Sequence, residues 1–390
     1  MRVSTIREEG AQPGAEPRGA IPGEERAMRE AIRIACRGVG TTHPNPRVGA
    51  VVLREGRIVG SGYHVRPGEA HAEVAALVSA GERARGAVLV TTLEPCAHHG
   101  RTPPCVDAIA AAGIRRVVIG MRDPNPAVDG RGVQALRSTG IDVAEGVCEG
   151  ECRALNPAYL KFLAAGLPWI LLKSMVSLDG RVASESGDSR GLGGAAEQRL
   201  CHRLRAEHDA VLVGIGTVLA DDPELTVRMA RGRSPLRVVL DSRLRLPAAS
   251  RLVQTTAKAP LLVATVSSDR AAEERLSSWG ARVWRFEPDA EGRVPLGRLL
   301  RRLASEGALS VLAEGGPTVH SALLRGRFAD RVAVGVAPIL LGGATAPTWT
   351  RDLGRATLAE AIELGPLTTR KVGRDLWIEA DLVPAGAPGV

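Results

Sequence analysis

The spacing of apolar residues predicts that helices and strands alternate along most of the chain. From Glu24 the segment EERAMREAIRIACRG carries apolar residues at helical spacing and ends at Gly38, and another helix begins near His71 and ends at Gly81. Short apolar runs bounded by turn residues predict strands between the helices. In the first half the other predicted elements are strands at 48–54, 57–61, 87–92, 116–120 and 141–146, and helices at 104–112 and near 132–139.

A second alternating series begins at Trp169. Its apolar runs predict strands at 169–175, 236–241, 260–266, 281–286, 309–313 and 331–338, with helical patterns between them. Alternation of this kind is typical of an α/β fold with helices covering a sheet. We therefore predict two α/β domains, with a disordered leader at 1–23, a first domain at 24–147, a linker at 148–167 and a second domain at 168–385.

Length and charge narrow the class of protein. A chain of 390 residues has room for two domains. The balance of 51 Lys and Arg against 43 Asp and Glu gives +8, but the basic residues are scattered singly. With five Trp, two Tyr and three Phe, the chain has few platforms on which nucleic-acid bases could stack. We expect phosphorylated small ligands rather than nucleic acid or membrane as partners, and keep a nucleic-acid editing module as the hypothesis from another class.

The six cysteines suggest chemistry rather than disulfides. The N-terminal segment is charged and lacks an apolar core, and no apolar run reaches the length of a membrane span. These features predict a cytoplasmic protein. In a reducing compartment, clustered cysteines more often bind metal or act in catalysis.

One histidine and two cysteines of the first half have the pattern of a catalytic zinc site. His71 and Glu73 open a helix, Cys96 follows a strand, and Cys105 starts another helix. Such a ligand set leaves one position of a tetrahedral zinc open, where a bound water becomes acidic enough to supply hydroxide. Glu73 is placed to move protons, as in zinc deaminases. Eight residues separate the two cysteines instead of two, so spacing alone leaves open that they are two buried thiols sharing a domain with His71.

Three segments of the first half resemble the bacterial bifunctional riboflavin-biosynthesis deaminase-reductase family, namely T-H-P-N-P-R-V-G-A at 42–50, G-E-A-H-A-E-V at 68–74 and T-L-E-P-C-A-H-H-G-R-T-P-P-C at 92–105. That family carries the longer loop between its zinc cysteines. The resemblance implies a cytidine-deaminase-like three-layer α/β/α domain that binds zinc, with Glu73 as proton donor and acceptor. The implied zinc ligands are His71, Cys96 and Cys105, and the implied pyrimidine pocket is lined by Asn45, His98, Gly100 and Thr102. From the residues alone, His98 and His99 could equally form a surface loop.

The second half offers a turn suited to phosphate. Glu314-Gly315-Gly316-Pro317-Thr318 follows a strand and opens a helix. Glycines let the backbone approach a pyrophosphate, and the N–H groups at a helix start attract anions. By itself such a turn also occurs for packing reasons, and no G-x-G-x-x-G follows a strand in the usual dinucleotide-binding context.

With this turn, three further segments resemble the reductase half of the same family, whose fold is similar to dihydrofolate reductase. They are S-L-D-G-R at 177–181, G-T-V-L-A-D-D-P-E-L-T-V-R at 216–228 and V-L-D-S-R at 239–243. The resemblance implies NADPH as cofactor and reduction of a phosphoribosylamino group to the ribitylamino form. The substrate residues it implies are Ser189, Arg205, Leu225, Arg228 and Glu314. Lys173 lies late in a strand, and from this position we expect it to contact or protonate the substrate. The implied cofactor residues are Met175, Gly191, Thr217, Asp221, Ser242, Gly316, Pro317 and Thr318.

The chain departs from the family near its predicted reductase site. Gly191 stands where the family usually has Trp, Gly193 where it has a hydroxyl residue, and Ile339 where it has a basic residue. The leading hypothesis is a bifunctional enzyme that deaminates a diamino-ribosylamino-pyrimidinone phosphate and then reduces its sugar. The departures keep an alternative open, a deaminase whose reductase half is impaired or acts on another intermediate. The resemblance also implies a homodimer or larger assembly.

Overall fold

The computed structural model describes residues 21, 23–100 and 102–383. The chain divides into two compact units between Asn156 and Pro157, and both are α/β, as the alternation predicts. The predicted leader, 1–23, lies outside the described residues except at Ile21 and Gly23. The predicted linker, 148–167, contains two helices, one at the end of the first unit and one at the start of the second.

The first unit is a sheet with helices packed on it. In chain order its elements are α1 Glu24–Ala35, β1 Gly49–Arg54, β2 Arg57–Tyr63, α2 Ala72–Ala80, β3 Val88–Leu93, α3 Cys105–Ala111, β4 Arg116–Met121, α4 Arg131–Ser138, β5 Asp142–Glu145 and α5 Glu149–Leu155. Short 3-10 turns follow α1 at Cys36–Gly38 and α2 at Gly81–Ala84. The strand order is β2-β1-β3-β4-β5, with β1 antiparallel to both neighbours and β3, β4 and β5 parallel.

Two glycines of β2 set the position of α2. A Cβ atom at Gly60 would lie 2.5 Å from the carbonyl oxygen of Ala76, and one at Gly62 would lie 2.6 Å from the carbonyl oxygen of Ala72. Close-packed protein interiors do not tolerate contacts this short. Glycine at alternate positions of the strand therefore allows α2, whose first turn carries Glu73, to lie directly on the sheet.

The second unit is built on a larger sheet. Its elements are α6 Pro157–Ala165, β6 Trp169–Ser177, α7 Ala195–Glu207, β7 Ala210–Gly214, α8 Ile215–Asp221, β8 Leu236–Leu240, α9 Arg251–Gln254, β9 Leu261–Thr265, α10 Arg270–Ser278, β10 Ala281–Arg285, α11 Leu296–Ser305, β11 Ser310–Ala313, α12 Pro317–Arg325, β12 Arg331–Ala337, a 3-10 turn Leu358–Glu360, β13 Thr368–Val372 and β14 Asp375–Asp381. The strand order is β10-β9-β8-β7-β11-β6-β12-β14-β13.

The parallel part of this sheet positions the second site. The strands from β10 to β12 in that order are parallel, whereas β14 is antiparallel to β12 and β13. The carboxyl ends of β6, β7, β8 and β11 thus meet at one edge, which is where open α/β sheets bind their ligands. Buried aliphatic residues cover the faces of these strands, among them Ile170, Leu212, Val238 and Val311.

The hydrophobic pattern did not reveal three strands of this unit. β7 continues directly into α8, so its four apolar residues, 210–213, are followed at once by the first turn of a helix and form only a short run. β13 is exposed over four of its five residues, and β14 alternates irregularly between buried and exposed. Neither therefore gives the continuous apolar run that marks the other strands.

In the part of the chain that the structure describes, no helix has the length and apolar character needed to cross a membrane.

Candidate active sites

In the first unit the three residues predicted to bind zinc meet at one point. His71 immediately precedes α2, Cys96 follows β3 and Cys105 is the first residue of α3. His71 Nδ1 lies 3.2 Å from Cys105 Sγ and 3.6 Å from Cys96 Sγ. The three ligand atoms all lie within 4.8 Å of one another. Two helix starts and one strand end thus form a single donor cluster.

This donor set fits zinc. A tetrahedral zinc with bonds of about 2.0–2.3 Å to nitrogen and sulfur holds its ligand atoms roughly 3.3–3.8 Å apart. The separations from His71 to the two sulfur atoms fall close to that range. The second ring nitrogen, Nε2, lies 3.3 Å from Thr102 Oγ1, which is the outer hydrogen bond typical of a metal-binding histidine.

The start of α3 makes the two thiols chemically different. The backbone N–H of Cys105 donates to Cys96 Sγ at 3.4 Å. Hydrogen bonds with the Cys105 side chain and backbone N–H and with His71 lower the pKa of Cys96, while the hydrogen bond with Cys96 and burial raise the pKa of Cys105. These contacts favour the thiolate form of Cys96, which is the form that binds metal.

Glu73 lies beside the cluster in the first turn of α2. Its side chain is buried, and the Cys105 thiol donates to Oε2 at 3.6 Å. Burial raises the pKa of Glu73 to about 7. A carboxyl group that titrates near neutrality can both take and return a proton at physiological pH.

Asn45, predicted to contact the pyrimidine, is connected to the cluster through a residue that sequence reasoning missed. Its Nδ2 donates to His64 Nε2 at 3.0 Å, and His64 Nδ1 lies 3.3 Å from the carbonyl oxygen of Ala70. The rings of His64 and His71 are edge-on, with centroids 5.5 Å apart. Burial lowers the pKa of His64, so the ring is neutral and accepts a hydrogen bond from the amide.

The other predicted pocket residues lie in the loop between the two cysteines. The backbone N–H of Gly100 donates to the carbonyl oxygen of Thr102 at 3.2 Å, which ties the loop to the residue that contacts His71. His98 and Gly100 are exposed. The intervening Arg101 lies outside the described residues.

In the second unit a cavity of 880 Å³ opens at the carboxyl edge of the parallel strands. A Cβ atom at Gly316 would lie 3.5 Å from Thr217 Oγ1, so the turn before α12 faces the start of α8 across a narrow gap. The turn and the helix start suit the phosphates of a dinucleotide. The predicted residues that line this cavity are Lys173, Met175, Ser189, Thr217, Asp221, Ser242, Glu314, Gly316, Pro317 and Thr318.

Two largely buried ion pairs lie at the wall of the cavity, each with one partner in its lining. Arg205 donates two hydrogen bonds to Glu314, both 2.7 Å long, and Lys173 Nζ lies 2.6 Å from Glu197 Oε1. Burial alone would raise the pKa of Glu314, but Arg205 lowers it below its ordinary value. Arg205 therefore reaches the cavity through Glu314, and Glu197 is a residue that sequence reasoning missed.

Besides Arg205, three predicted contacts lie outside the cavity lining. The Leu225 side chain belongs to the apolar cluster around α8, and its φ angle of 55° is in the left-handed region. Arg228 donates to Thr226 Oγ1 at 2.7 Å and pairs with Glu224 at 3.3 Å. Leu225 therefore packs into the protein interior, whereas Arg228 lies at the surface.

The third of these residues, Gly191, belongs to a loop that is tied to the turn between β13 and β14. Arg374 Nη2 donates to the Gly191 carbonyl oxygen at 3.1 Å, and the backbone N–H of Gly194 donates to Asp375 Oδ2 at 2.8 Å. At the other end of the loop, Ser189 Oγ donates to Asp221 Oδ1 at 2.9 Å. The loop thus links a predicted substrate residue to a predicted cofactor residue.

Two protein families match this chain, one in each half. Residues 22–121 match the family described as the cytidine and deoxycytidylate deaminase zinc-binding region, and residues 168–378 match the RibD C-terminal domain. The chain is 41% identical over 368 residues to the riboflavin biosynthesis protein RibD of Escherichia coli K12, covering 91% of this chain and 98% of that protein.

Solved structures show the same two-part fold. RibD of Acinetobacter baumannii superposes with a TM-score of 0.82 at 35% identity, covering 93% of this chain and 99% of that one. A Thermotoga maritima protein described as a diaminohydroxyphosphoribosylaminopyrimidine deaminase and 5-amino-6-(5-phosphoribosylamino)uracil reductase gives 0.80 at 35% identity, with the same coverage. A match that spans both halves does not favour the alternative of a deaminase with an impaired second half.

Proposed function

Because the chain belongs to the RibD family of riboflavin-biosynthesis enzymes, each a zinc-dependent deaminase fused to an NADPH-dependent reductase, we propose the following division of labour. The first unit hydrolyses the amino group from a diamino-ribosylamino-pyrimidinone phosphate. The second unit reduces the sugar of the deaminated product to the open-chain ribityl form. The observation that carries the proposal is the cluster of His71, Cys96 and Cys105 with buried Glu73 beside it.

In the deaminase, His71, Cys96 and Cys105 hold the zinc. When bound, zinc supplies a water molecule whose pKa is close to neutral. Glu73 would take a proton from the attacking water and give it to the exocyclic nitrogen, so that the oxygen of water replaces nitrogen at the ring carbon and ammonia leaves. The pKa of Glu73, about 7, suits both transfers.

The pyrimidine is oriented by residues around the cluster. Asn45, His98, Gly100 and Thr102 form this pocket in our proposal. The hydrogen bond between Asn45 and neutral His64 supports it, because it fixes the amide orientation and leaves the Asn45 oxygen free to accept from the ring.

In the reductase, the cavity of the second unit holds NADPH and the phosphorylated sugar. The predicted cofactor residues that line the cavity are Met175, Thr217, Asp221, Ser242, Gly316, Pro317 and Thr318, and these bind NADPH. The substrate is bound by Lys173, Ser189 and Glu314, which also line the cavity. Gly191, Leu225 and Arg228 lie outside this lining. NADPH would supply the hydride that reduces the sugar carbon, and the proton taken up by the released sugar oxygen would come from solvent. Arg205 orients Glu314, and Lys173 contacts a sugar oxygen.

We further propose that Lys173 acts as a fixed cation. Burial alone would lower the pKa of Lys173, but Cys201, Glu197 and Glu314 raise it above its ordinary value. An ammonium group held in this way is a persistent hydrogen-bond donor. It is a poor source of the proton itself, because general acids work best with a pKa near the operating pH.

We also propose that the enzyme is cytoplasmic and forms a homodimer or larger assembly. The six cysteines are all unpaired, which suits a reducing compartment. The edge strand β13 is exposed and offers backbone groups for pairing with another chain. Sedimentation equilibrium would measure the assembly state, and a monomer at micromolar concentration would contradict it.

The proposal is tested with the variant Glu73→Gln. We expect ammonia release to fall by about 10²–10⁴-fold, the usual contribution of a general acid-base group. NADPH oxidation on previously deaminated substrate should match wild type. The exposed neighbour Val78→Ala in the same helix is the control. Retained deamination would remove Glu73 from the mechanism, and no NADPH oxidation by wild type would overturn the reductase assignment.

A further inference from the structure

The second unit contains a buried carboxylate that the proposed reaction does not require. Glu197 lies in the first turn of α7 and is 4% exposed. Its Oε1 is 2.6 Å from Lys173 Nζ and accepts a hydrogen bond from the Cys201 thiol at 2.8 Å. Lys173 lines the cavity, whereas Glu197 lies behind it. Burying a carboxylate is costly unless a partner compensates for it, so its contact with Lys173 calls for an explanation.

The space for this carboxylate comes from Gly193. A Cβ atom at Gly193 would lie 2.4 Å from Glu197 Oε2 and 2.9 Å from its Cδ. The φ angle of Gly193 is not in the left-handed region, so glycine is needed here for space rather than for backbone conformation. The position where the family usually carries a hydroxyl side chain is thus filled by a carboxylate from the following turn.

The charges around Lys173 give the contact with Glu197 a distinct role. The groups that face its ammonium are Glu197 and Cys201 of α7, Glu314 after β11 and His320 of α12. Glu314 is already engaged by Arg205 in a bidentate pair. The neighbouring His320 is neutral, because burial lowers its pKa. Glu197 is therefore the anion dedicated to Lys173.

We propose that Glu197 is a positioning residue of the reductase, which holds the Lys173 ammonium against the wall of the cavity, and that Gly193 is its obligatory steric partner. This inference rests on the proposed function of the second unit. It accounts for the glycine at 193 as the residue that leaves room for the Glu197 carboxylate. A misplacement of about 1 Å at a reacting centre can cost about 100-fold in rate, so the loss of this contact has a measurable effect.

The first test removes the charge with the isosteric variant Glu197→Gln. We expect kcat for NADPH oxidation on deaminated substrate to fall about 100-fold, with KM for NADPH unchanged. Without its anion, buried Lys173 has a lower pKa, so the alkaline limb of the kcat profile should move to lower pH. A purely structural role would not move that limb. Exposed Gln198→Ala, in the same helix turn, is the matched control.

The second test asks whether positions 193 and 197 act as a pair. Gly193→Thr alone should reduce NADPH oxidation and lower the thermal midpoint of the second unit, because its side chain collides with Glu197. The double variant Gly193→Thr with Glu197→Ala should regain thermal stability relative to Gly193→Thr, whereas its NADPH oxidation should stay low because Lys173 still lacks its anion. Ammonia release by the same chains should remain at the wild-type level throughout.

Three results separate the outcomes. A Glu197→Gln protein with wild-type kcat and pH profile would overturn the positioning role. A double variant no more thermally stable than Gly193→Thr would overturn the steric partnership. Wild-type protein that binds NADPH but does not oxidise it would instead refute the proposed function, whatever the variants do.

Discussion

Thr102 Oγ1 lies 3.3 Å from the Nε2 of His71, on the opposite side of the ring from the two cysteine sulfurs. The contact holds the imidazole in the orientation that directs Nδ1 to the metal position. The hydroxyl can accept from a proton on Nε2, and this tautomer leaves the Nδ1 lone pair for zinc. Thr102 belongs to the loop that separates the two cysteines, so this longer loop helps to build the metal site.

We predict that Thr102→Val lowers zinc affinity by about 10–100-fold, the usual effect of removing an outer-sphere partner. Valine preserves the shape of threonine and removes only the hydrogen bond. Competition with a chromophoric chelator measures the affinity directly. Exposed Thr139→Val is the control, and equal zinc affinity for Thr102→Val and wild type would show that the contact does not position His71.

Gly62 provides a test of how β2 positions the catalytic helix. Gly62→Ala places a methyl group 2.6 Å from the Ala72 carbonyl oxygen, which forces α2 away from the sheet. We expect a loss of about 1–3 kcal/mol in the free energy of unfolding of the first unit, the usual cost of overpacking. Because His71 and Glu73 move with α2, ammonia release should fall more than the folded fraction does.

The control for this variant is Gly150→Ala in α5, where an added Cβ meets nothing within 4 Å. Alanine in a helix is favoured over glycine by about 0.5–1 kcal/mol, so this variant should be at least as stable as wild type. Urea denaturation followed by ammonia assays at fixed folded fraction compares the two. If Gly62→Ala keeps wild-type turnover per folded molecule, β2 does not set the position of the catalytic helix.

The sequence predicted those parts of the protein whose signals are local. Apolar runs bounded by turns predicted most strands. The positions of His71, Cys96 and Cys105 at helix and strand ends suited a zinc site, but the resemblance to the deaminase-reductase family was needed to choose it over two buried thiols. The strand β7 was not apparent because it runs into α8 without an intervening turn.

Other features depend on contacts between distant positions. Asn45 and His64 are joined by a side-chain hydrogen bond that no spacing rule predicts. The link between Lys173 and Glu197 is of the same kind. Gly193 lacks the side chain that the family usually has at this position, and the structure shows that Glu197 occupies the space. A substitution at one position can be interpreted only when the residue that fills its space is known.

The buried pair of Arg205 and Glu314 gives a prediction with a defined dependence on pH. Their side chains are only 13% and 10% exposed. Removing one partner of such a pair leaves an uncompensated buried charge, which costs about 3–5 kcal/mol. Arg205→Gln should therefore destabilise the second unit by that amount at pH 7 and reduce NADPH oxidation, without affecting ammonia release.

The sign of the pH effect follows from Glu314. Its pKa in the folded protein lies below the ordinary value of 4.5, so the stability that the pair contributes is fully present above pH 4.5 and is lost as the pH falls through the folded pKa. In Arg205→Gln, burial without that partner raises the pKa of Glu314, and protonation relieves the buried charge. The difference in unfolding free energy between wild type and variant should therefore shrink steadily as the pH is lowered toward 3. Urea titrations at several pH values would measure this difference.

The exposed pair of Arg282 and Glu306 serves as the control, since Arg282→Gln should cost at most about 1 kcal/mol at any pH. If the difference in unfolding free energy between wild type and Arg205→Gln stays constant with pH, the loss of stability comes from packing of the guanidinium rather than from its charge.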